Sequence, residues 1–445
     1  MFKYCIFSLF IVTGAFAEDP YALDHATVSI YAVNHVTGKI LFDQNSHLSL
    51  VPDSCLKIVT TGAALQLLGK DKRFETHLEY DGSIDNEKTL HGNVYIHGGG
   101  DPTLGSDRFS GSLSWNKQIE AWTTALQKRG IKKIEGKVIG DATKWEKAMA
   151  VPSWQWEDLG NYYGAGASAL TFNENKYFLF FTPGHNVGDD AVILRTDPPL
   201  LTTLSLQNEV KTGPEGSGDQ AWIFGSEFSS THYVRGTIPA AVKEFSIKGA
   251  LPDPAALCAE LLTQALLTGG ISVDQKVIGP QKERVDCLTT YSPTVGEIVH
   301  WTNQVSHNLF AEHLLKKMGE EIFNEGSTQA GIKAVTNFWK SQNIDLSGFN
   351  MVDGSGLSRK NLVTAKQFVS MLIKMRSWKD FPVFFQSLPL IETPMRAKDG
   401  SMSLMRGYVG YTGDITFAII VNQCTDRPEM LKKIKTFLSD INQIK

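Results

Sequence analysis

Cysteine is scarce in this chain: five residues among 445, at positions 5, 55, 258, 287 and 424. None stands in a CxxC pair or at metal-ligand spacing, so zinc ribbons, iron–sulfur sites and disulfide-framework folds are excluded. Cys258 and Cys287 leave two readings open, a disulfide in an oxidising compartment or two buried free thiols. An excess of basic charge is missing too. With 43 Lys and Arg against 47 Asp and Glu, the net charge is −4 and both signs are mixed along the chain. That balance gives no footprint for a nucleic acid. Beyond residue 17 no apolar run approaches the ~18 residues of a membrane span. The one glycine cluster, Gly98-Gly99-Gly100-Asp101-Pro102, lacks the Gly-Lys-Ser/Thr ending of a phosphate loop and reads as a tight turn. No internal repeat is found.

Residues 1–17 read as a signal peptide: Lys3, an apolar run from Tyr4 to Val12, then Ala15-Phe16-Ala17 ahead of Glu18. Cys5 lies within the apolar run without the small-residue lead-in of a lipid-anchor site. The mature protein is expected to be exported, periplasmic and free of membrane spans, with peripheral membrane contact and oligomeric state left open. Its length accommodates two or three domains with cores of their own.

The chain is organised around Val51-Pro52-Asp53-Ser54-Cys55-Leu56-Lys57. An extended Val-Pro step followed by a carboxylate predicts a helix start, with Asp53 as a capping-type residue. Ile58, Val59, Ala63, Ala64, Leu65, Leu67 and Leu68 continue a helix apolar enough to be buried, up to Gly69. Ser54 and Lys57, three apart, share one face of its first turn. Burial strips a lysine of its charge, and a neutral amine within hydrogen-bond reach takes a serine proton. The helix N-terminus adds a positive field and a free N–H where an oxyanion would develop. Cys55 is turned about 100° from that face and is assigned to packing. Taken alone, Ser-x-x-Lys is also what an ordinary solvated helix shows.

Before this helix, Ala26–Asn34 alternates as a strand, with Val28, Ile30 and Ala32 on one side and Ser29, Tyr31 and Val33 on the other. Ile40–Asp43 returns as its hairpin partner. From about Phe74 to Gly279 the pattern changes to short strands and glycine-rich turns, with an exposed loop expected at 208–218 and an amphipathic helix at Pro252–Leu267. Helices return at Ser292–Gln304 and Asn308–Met318. Between them Ser306 and Asn308 face one direction and His307 is expected to point outward. Ser306 as a simple helix cap is the plainer alternative. After a turn-rich Asp353–Arg359 loop and a helix over Thr364–Met375, Met395–Gly410 reads as a strand and Ile415–Asn422 as its hairpin partner. Lys398 opens that strand, where a lysine on its own is only a solubility device. The C-terminal helix Pro428–Ile444 carries an apolar stripe of Met430, Ile434, Phe437, Ile441 and Ile444, read as docking on the hairpin.

Ser54-Cys55-Leu56-Lys57, Ser306-His307-Asn308 and Lys398-Asp399-Gly400 resemble, in order, the SxxK, SxN and KTG signatures of penicillin-recognising serine enzymes. More narrowly, the chain resembles the D-alanyl-D-alanine carboxypeptidase/endopeptidase family, the class C low-molecular-mass penicillin-binding proteins. Gly98–Leu104 (GGGDPTL), Trp154–Asn175 with its YYGAGASAL core, and Asp353–Arg359 (DGSGLSR) match family-type stretches, so the likeness spans most of the mature chain. It implies an α/β (α+β) fold: a penicillin-binding-protein/serine β-lactamase-like domain, an antiparallel sheet flanked by helices. The catalytic part would comprise 18–73 and 284–445, split by a β-rich insertion over 74–283.

The resemblance also implies acyl transfer without metal or organic cofactor. Ser54 would attack the carbonyl of a D-alanyl bond in a peptidoglycan stem peptide, with Lys57 as base. Ser306 and Lys398 would pass a proton to the leaving amine, while Asn308 holds the substrate amide and Lys57. The backbone N–H groups of Ser54 and Ser401 would form the oxyanion hole, and Lys398, Asp399, Gly400 and Ser401 would bind the substrate's end. β-Lactams would be inhibitors. Two departures stand out. Asp399 replaces the family threonine, placing an anion where a substrate carboxylate binds; it must pair with Arg396 or another cation, be protonated, or accompany a changed preference. The segment ahead of Lys398 also lacks the family's glycine-containing turn. The alternative to an active peptidase is therefore a catalytically weak homologue that binds peptidoglycan or a cell-wall protein. A β-lactamase or esterase is disfavoured because no dedicated deacylating glutamate motif appears.

Overall fold

Strands from the two ends of the chain make one six-stranded sheet. The computed structural model describes residues 20–200, 204–280 and 283–444, so the expected signal peptide lies outside the described residues. In chain order the strands are β1 (Thr27–Asn34), β2 (Ile40–Gln44), β3 (Leu390–Glu392), β4 (Met395–Met402), β5 (Met405–Thr412) and β6 (Ile415–Asn422). Their spatial order is β3-β4-β5-β6-β1-β2, and every neighbouring pair is antiparallel. β1 pairs along its whole length with β6, from Thr27 opposite Asn422 to Asn34 opposite Ile415.

The alternation in β1 serves two buried faces. Tyr31 and Val33 join a core made with α1 (Lys57–Leu67), α2 (Val295–Gln304), α3 (Asn308–Phe323), α4 (Thr328–Ser341) and α5 (Ala365–Met375). Val28, Ile30 and Ala32 pack on the opposite face with Met430, Ile434, Phe437 and Ile441 of α6 (Arg427–Gln443). The stripe on α6 is thus spent on the sheet except for Ile444, which lies exposed past the helix end. Among the described residues no helix is long and apolar enough to cross a membrane.

Two expectations change. Met395–Gly410 is not one strand but most of a pair, because the chain reverses at Ser403 and Leu404 and a three-stranded meander replaces the hairpin. The turn carries no Gly, Pro or Asn; Leu404 adopts a left-handed φ of 67°, which composition does not announce. The loop expected at 208–218 is in its first half a strand, Ser205–Gly213, running parallel to Thr231–Pro239. Gln207, Asn208, Glu209 and Lys211 are exposed while Val210 and Thr212 are buried.

Residues from Leu78 to Ile271 surround a second core that includes Trp122, Phe172, Leu179, Ile223 and Leu262. One of its sheets contains Glu75–Asp81, Val94–Gly98, Val138–Asp141 and Arg284–Tyr291. The last of these strands pairs antiparallel with Glu75–Asp81, although the sequence reading set residues from 284 onward with the first core. No disulfide joins Cys258 to Cys287: both are free thiols, the first buried and the second half-buried.

Phe437 has no exposure and meets Tyr21, Phe42 and Phe417 edge-on at 5.4–6.2 Å. Phe437→Ala is expected to lower unfolding stability by about 3–5 kcal/mol, measured by denaturant titration. A loss under about 1 kcal/mol would show that α6 does not hold the sheet's second face.

Candidate active site

The turn that carries Ser54, the candidate nucleophile, forms differently from the capped start expected. Asp53–Leu56 is a single 3₁₀ turn leading into α1, and Pro52 precedes it without a side-chain cap. Asp53 takes a left-handed φ of 51°. Its carboxylate accepts a bond from the adjacent Ser54 N–H at 2.5 Å, not from the next turn. This is the N–H expected in the oxyanion hole, so an internal carboxylate already occupies it. Asp53 is buried with Oδ2 unpartnered; burial, only partly offset by Lys57, pushes its carboxyl up to about 6.

Lys57 has no solvent exposure. Its Nζ lies 3.0 Å from Ser54 Oγ, 2.6 Å from Asn308 Oδ1 and 2.6 Å from the Ser355 carbonyl. Asn308 is held in the required orientation because its Nδ2 donates to Tyr163 O at 2.8 Å. Asn308 Oδ1 and Ser355 O can only accept. A neutral amine therefore spends both hydrogens on them and turns its lone pair toward the Ser54 hydroxyl. Burial, helped by the charge of Lys398, brings Lys57 down to about 7, against an upward pull from Asp53, Asp353 and Glu312.

The third motif is placed by close packing. A Cβ on Gly400 would lie 3.0 Å from Pro52 O and 3.1 Å from Asp53 Cβ, so only glycine lets β4 run against the nucleophile turn. β3 covers β4 only at Met395 and Arg396. Lys398, almost fully buried, does not reach Ser306 by a hydrogen bond; its Nζ meets Asp399 O at 2.6 Å and Asp399 Oδ1 at 2.9 Å. Asp399 also pairs with Arg406 Nη2 at 3.1 Å, while Arg396 is engaged with the Leu388 carbonyl. Burial works to raise the Asp399 carboxyl, but Lys398 and Arg406 outweigh it and hold it below the usual range. Of the options left by the sequence, pairing with another cation is the one found. The Ser401 and Ser403 side chains are exposed.

The structure thus joins Ser54, Lys57 and Asn308 directly, and sets Lys398 with Asp399 beside them. Ser306 sits at a left-handed φ of 57°, half-buried at the start of α3 and bonded to neither lysine; the cap position belongs to His307. His307 is not turned outward. It stacks on Phe310 at 3.8 Å and meets Glu174 Oε2 at 3.0 Å. Glu174 also binds Arg108 at 3.0 and 3.1 Å, Ser106 at 2.6 Å, and Lys176. Burial alone would raise this carboxyl; the bonds from His307 and Arg108 hold it well below the usual range. The SxN turn is in this way tied to the β-rich segment.

Two buried carboxylates were missed, Glu312 and Asp353, which grip the 353–358 loop behind Lys57. Glu312 was findable: it lies four residues after Asn308, on the same face of α3. Cys55 is as expected. It is fully buried, its Sγ lies 3.6 Å from Lys398 O, and burial pushes its thiol far up. Among the described residues no cluster of His, Cys, Asp or Glu is arranged to hold a metal ion.

A serine bonded to a buried lysine on the first turn of a helix, with a lysine-bearing strand packed beside it, defines a serine hydrolase of the SxxK kind. The chain belongs to the D-Ala-D-Ala carboxypeptidase 3 (S13) family, whose model matches residues 13–441. It is 28% identical over 440 residues to a D-alanyl-D-alanine carboxypeptidase of Actinomadura sp. (strain R39), covering 92% of this chain and 80% of that one. It is 26% identical over 389 residues to the D-alanyl-D-alanine carboxypeptidase DacB of Haemophilus influenzae, covering 86% and 77%. The fold matches the crystal structure of penicillin binding protein 4 from Haemophilus influenzae, with a TM-score of 0.80 and 22% identity over 95% of this chain and 98% of that one. The same Haemophilus protein has been solved in complex with a β-lactam.

Maleimide at pH 8 is expected to leave Cys55 unmodified in the folded protein and to label it only after denaturation. Native labelling of Cys55, located by peptide mass, would overturn its assignment to packing.

Proposed function

We propose that the protein is an exported D,D-peptidase, acting in the periplasm on D-alanyl-D-alanine-type bonds of peptidoglycan stem peptides through a Ser54 acyl-enzyme. The observation that carries this is the threefold bonding of Lys57, which leaves a neutral amine only its lone pair to offer Ser54. Lys57 takes the hydroxyl proton, and Ser54 Oγ attacks the carbonyl carbon. The C–N bond then breaks, and the leaving amine takes the proton held by Lys57 by way of Ser306 and Lys398. For this, Ser306 must first turn toward the lysines it does not touch at rest. Water hydrolyses the ester and restores the Ser54 hydroxyl. For the oxyanion to use Ser54 N–H together with Ser401 N–H, the Asp53 carboxylate must give way. Asn308 holds the substrate amide while it holds Lys57. β-Lactams, which carry a strained amide beside a carboxylate, are inhibitors that stop at the ester.

The division into a catalytic part, 18–73 with 284–445, and a β-rich insertion over 74–283 belongs to the same proposal. The pairing of Arg284–Tyr291 with Glu75–Asp81 favours moving the second seam to about Ser292. The ion pair between Lys398 and Asp399 favours a second reading, a weak enzyme whose principal act is binding peptidoglycan, because the cation meant for a substrate carboxylate is already neutralised.

Intact mass after incubation with a penicillin tests both. A single adduct on the wild type, absent from Ser54→Ala, is expected; no adduct on a folded wild type would favour the binding reading. The acylation rate should rise with pH through about 7 as Lys57 loses its proton, and fall about tenfold per unit below that point; a rate flat from pH 5 to 8 would remove Lys57 as the base. Asp399→Thr frees Lys398 and is expected to raise the rate constant for penicillin acylation about tenfold. An unchanged rate would show that Asp399 does not compete with the substrate's carboxylate.

A further inference from the structure

Behind the Lys57 amine the chain makes a loop, 353–358, wound between two buried carboxylates. Glu312, on α3 and one turn beyond Asn308, accepts the Gly354 N–H at 3.0 Å and the Ser355 N–H at 2.7 Å. Asp353 accepts the N–H groups of Gly356 at 2.8 Å and Ser358 at 2.6 Å, the Asn361 amide at 2.8 Å and the Trp154 indole at 2.9 Å. The loop's carbonyls face the other way, into α1. Gly354 O accepts the Thr60 hydroxyl at 2.7 Å, and Ser355 O accepts the Lys57 amine at 2.6 Å.

Each peptide unit is therefore strung between a carboxylate on its N–H and an α1 side chain on its C=O. The unit Gly354–Ser355 runs from Glu312 to Thr60, and the unit Ser355–Gly356 runs from Asp353 to Lys57. An anion on the N–H polarises the amide and makes its oxygen the stronger acceptor. The loop packs directly on the Ser54 turn: Gly356 sits at a φ of 87°, and a Cβ there would lie 2.0 Å from Asp53 O. Asn308 and Glu312 thus hold the amine from one helix face, the first directly and the second through the loop.

We propose that Glu312 is a positioning residue for the base, holding the 353–358 loop so that the Ser355 carbonyl and the Asn308 amide clamp the Lys57 amine against Ser54. The inference rests on the acyl-transfer reading and adds a residue to it. Glu312 does not touch the substrate. Its charge reaches Lys57 as well. Lys57 is faced by Asp53 from its own turn, Asp353 from the loop, Glu312 from α3 and Lys398 from β4. Glu312 is faced by Asp353, and in turn acts on Lys57 and on Lys316 of its own helix. Burial and the neighbouring Asp353 push Glu312 up to about 7. It gains or loses its proton in the same range as the amine it supports.

Glu312→Gln keeps the shape and an acceptor oxygen but removes the charge. Two readouts are taken for the wild type and this variant: penicillin acylation from pH 5 to 9, and the titration of Lys57 followed by the 13C shift of its ε-carbon. The variant should move the rising limb of the rate profile and the Lys57 titration together, to about one pH unit lower. A residue that only filled space would lower the amplitude and leave the midpoint in place. Superimposable titrations for the two proteins would overturn the proposal. If the wild type forms no acyl adduct but the Lys57 titration shifts, the positioning role stands and the acyl-transfer reading fails. Glu312→Asp, one methylene shorter, should keep the wild-type midpoint at a rate reduced about tenfold; a midpoint displaced as in Glu312→Gln would argue against a role for the charge.

Discussion

A lysine amine sealed from water, with its hydrogens assigned, is the constraint on which this structure depends. Burying an ammonium without partners is prohibitive, so the fold surrounds Lys57 with groups that accept hydrogen bonds and with carboxylates that oppose its loss of charge. Asn308 comes from one helix and Ser355 from a loop; Asp53, Asp353 and Glu312 lie behind them. The sites are close enough that a proton on one alters its neighbours, so they titrate as a set. That arrangement explains why the region around the motifs is so dense in polar contacts inside an otherwise apolar core. Each is needed to leave one lone pair free.

The same turn and strand carry two anions where a substrate would present its own negative charge. Asp53 sits on the Ser54 N–H and Asp399 on Lys398. Each is tied to its cation or donor by the local backbone: Asp53 through a left-handed residue, and Asp399 as the neighbour of the lysine it neutralises. The resting cleft is therefore satisfied internally. In the proposed reaction, binding would exchange carboxylate for carboxylate and carboxylate for oxyanion, and the difference between those pairs, not their absolute strength, would decide turnover.

Much of this was legible in the sequence. Periodicity placed β1, the nucleophile helix and α6, because each buries a face whose period the apolar residues must follow. Motif order pointed to Ser54, Lys57 and Asn308, which hydrogen bonds join, and to Lys398 on the strand packed against the same turn. What escaped reading depended on contacts between distant segments or on backbone that residue type does not encode. The turn at Leu404 is set by the pairing of β4 and β5 on either side. His307 faces inward because Glu174, 133 residues earlier, waits for it. Asp53 looks like a cap, but a left-handed backbone turns its carboxylate onto the next N–H. The coupling of Glu312 to Lys57 passes through two peptide units that no spacing rule reports.

The pairing of β1 with β6 also ties together segments made far apart in time. A nascent chain presents the Ser54 turn early, yet the strand that pairs with β1 is made only some 360 residues later. Lys398 and the full-length partner of β1 follow a β-rich segment of some two hundred positions with a core of its own. Contacts of such long sequence separation form late. A partly synthesised chain thus holds its serine and lysine apart from the cation that completes the cleft. The order of synthesis separates Ser54 and Lys57 from Lys398 until more than three hundred further residues have been made.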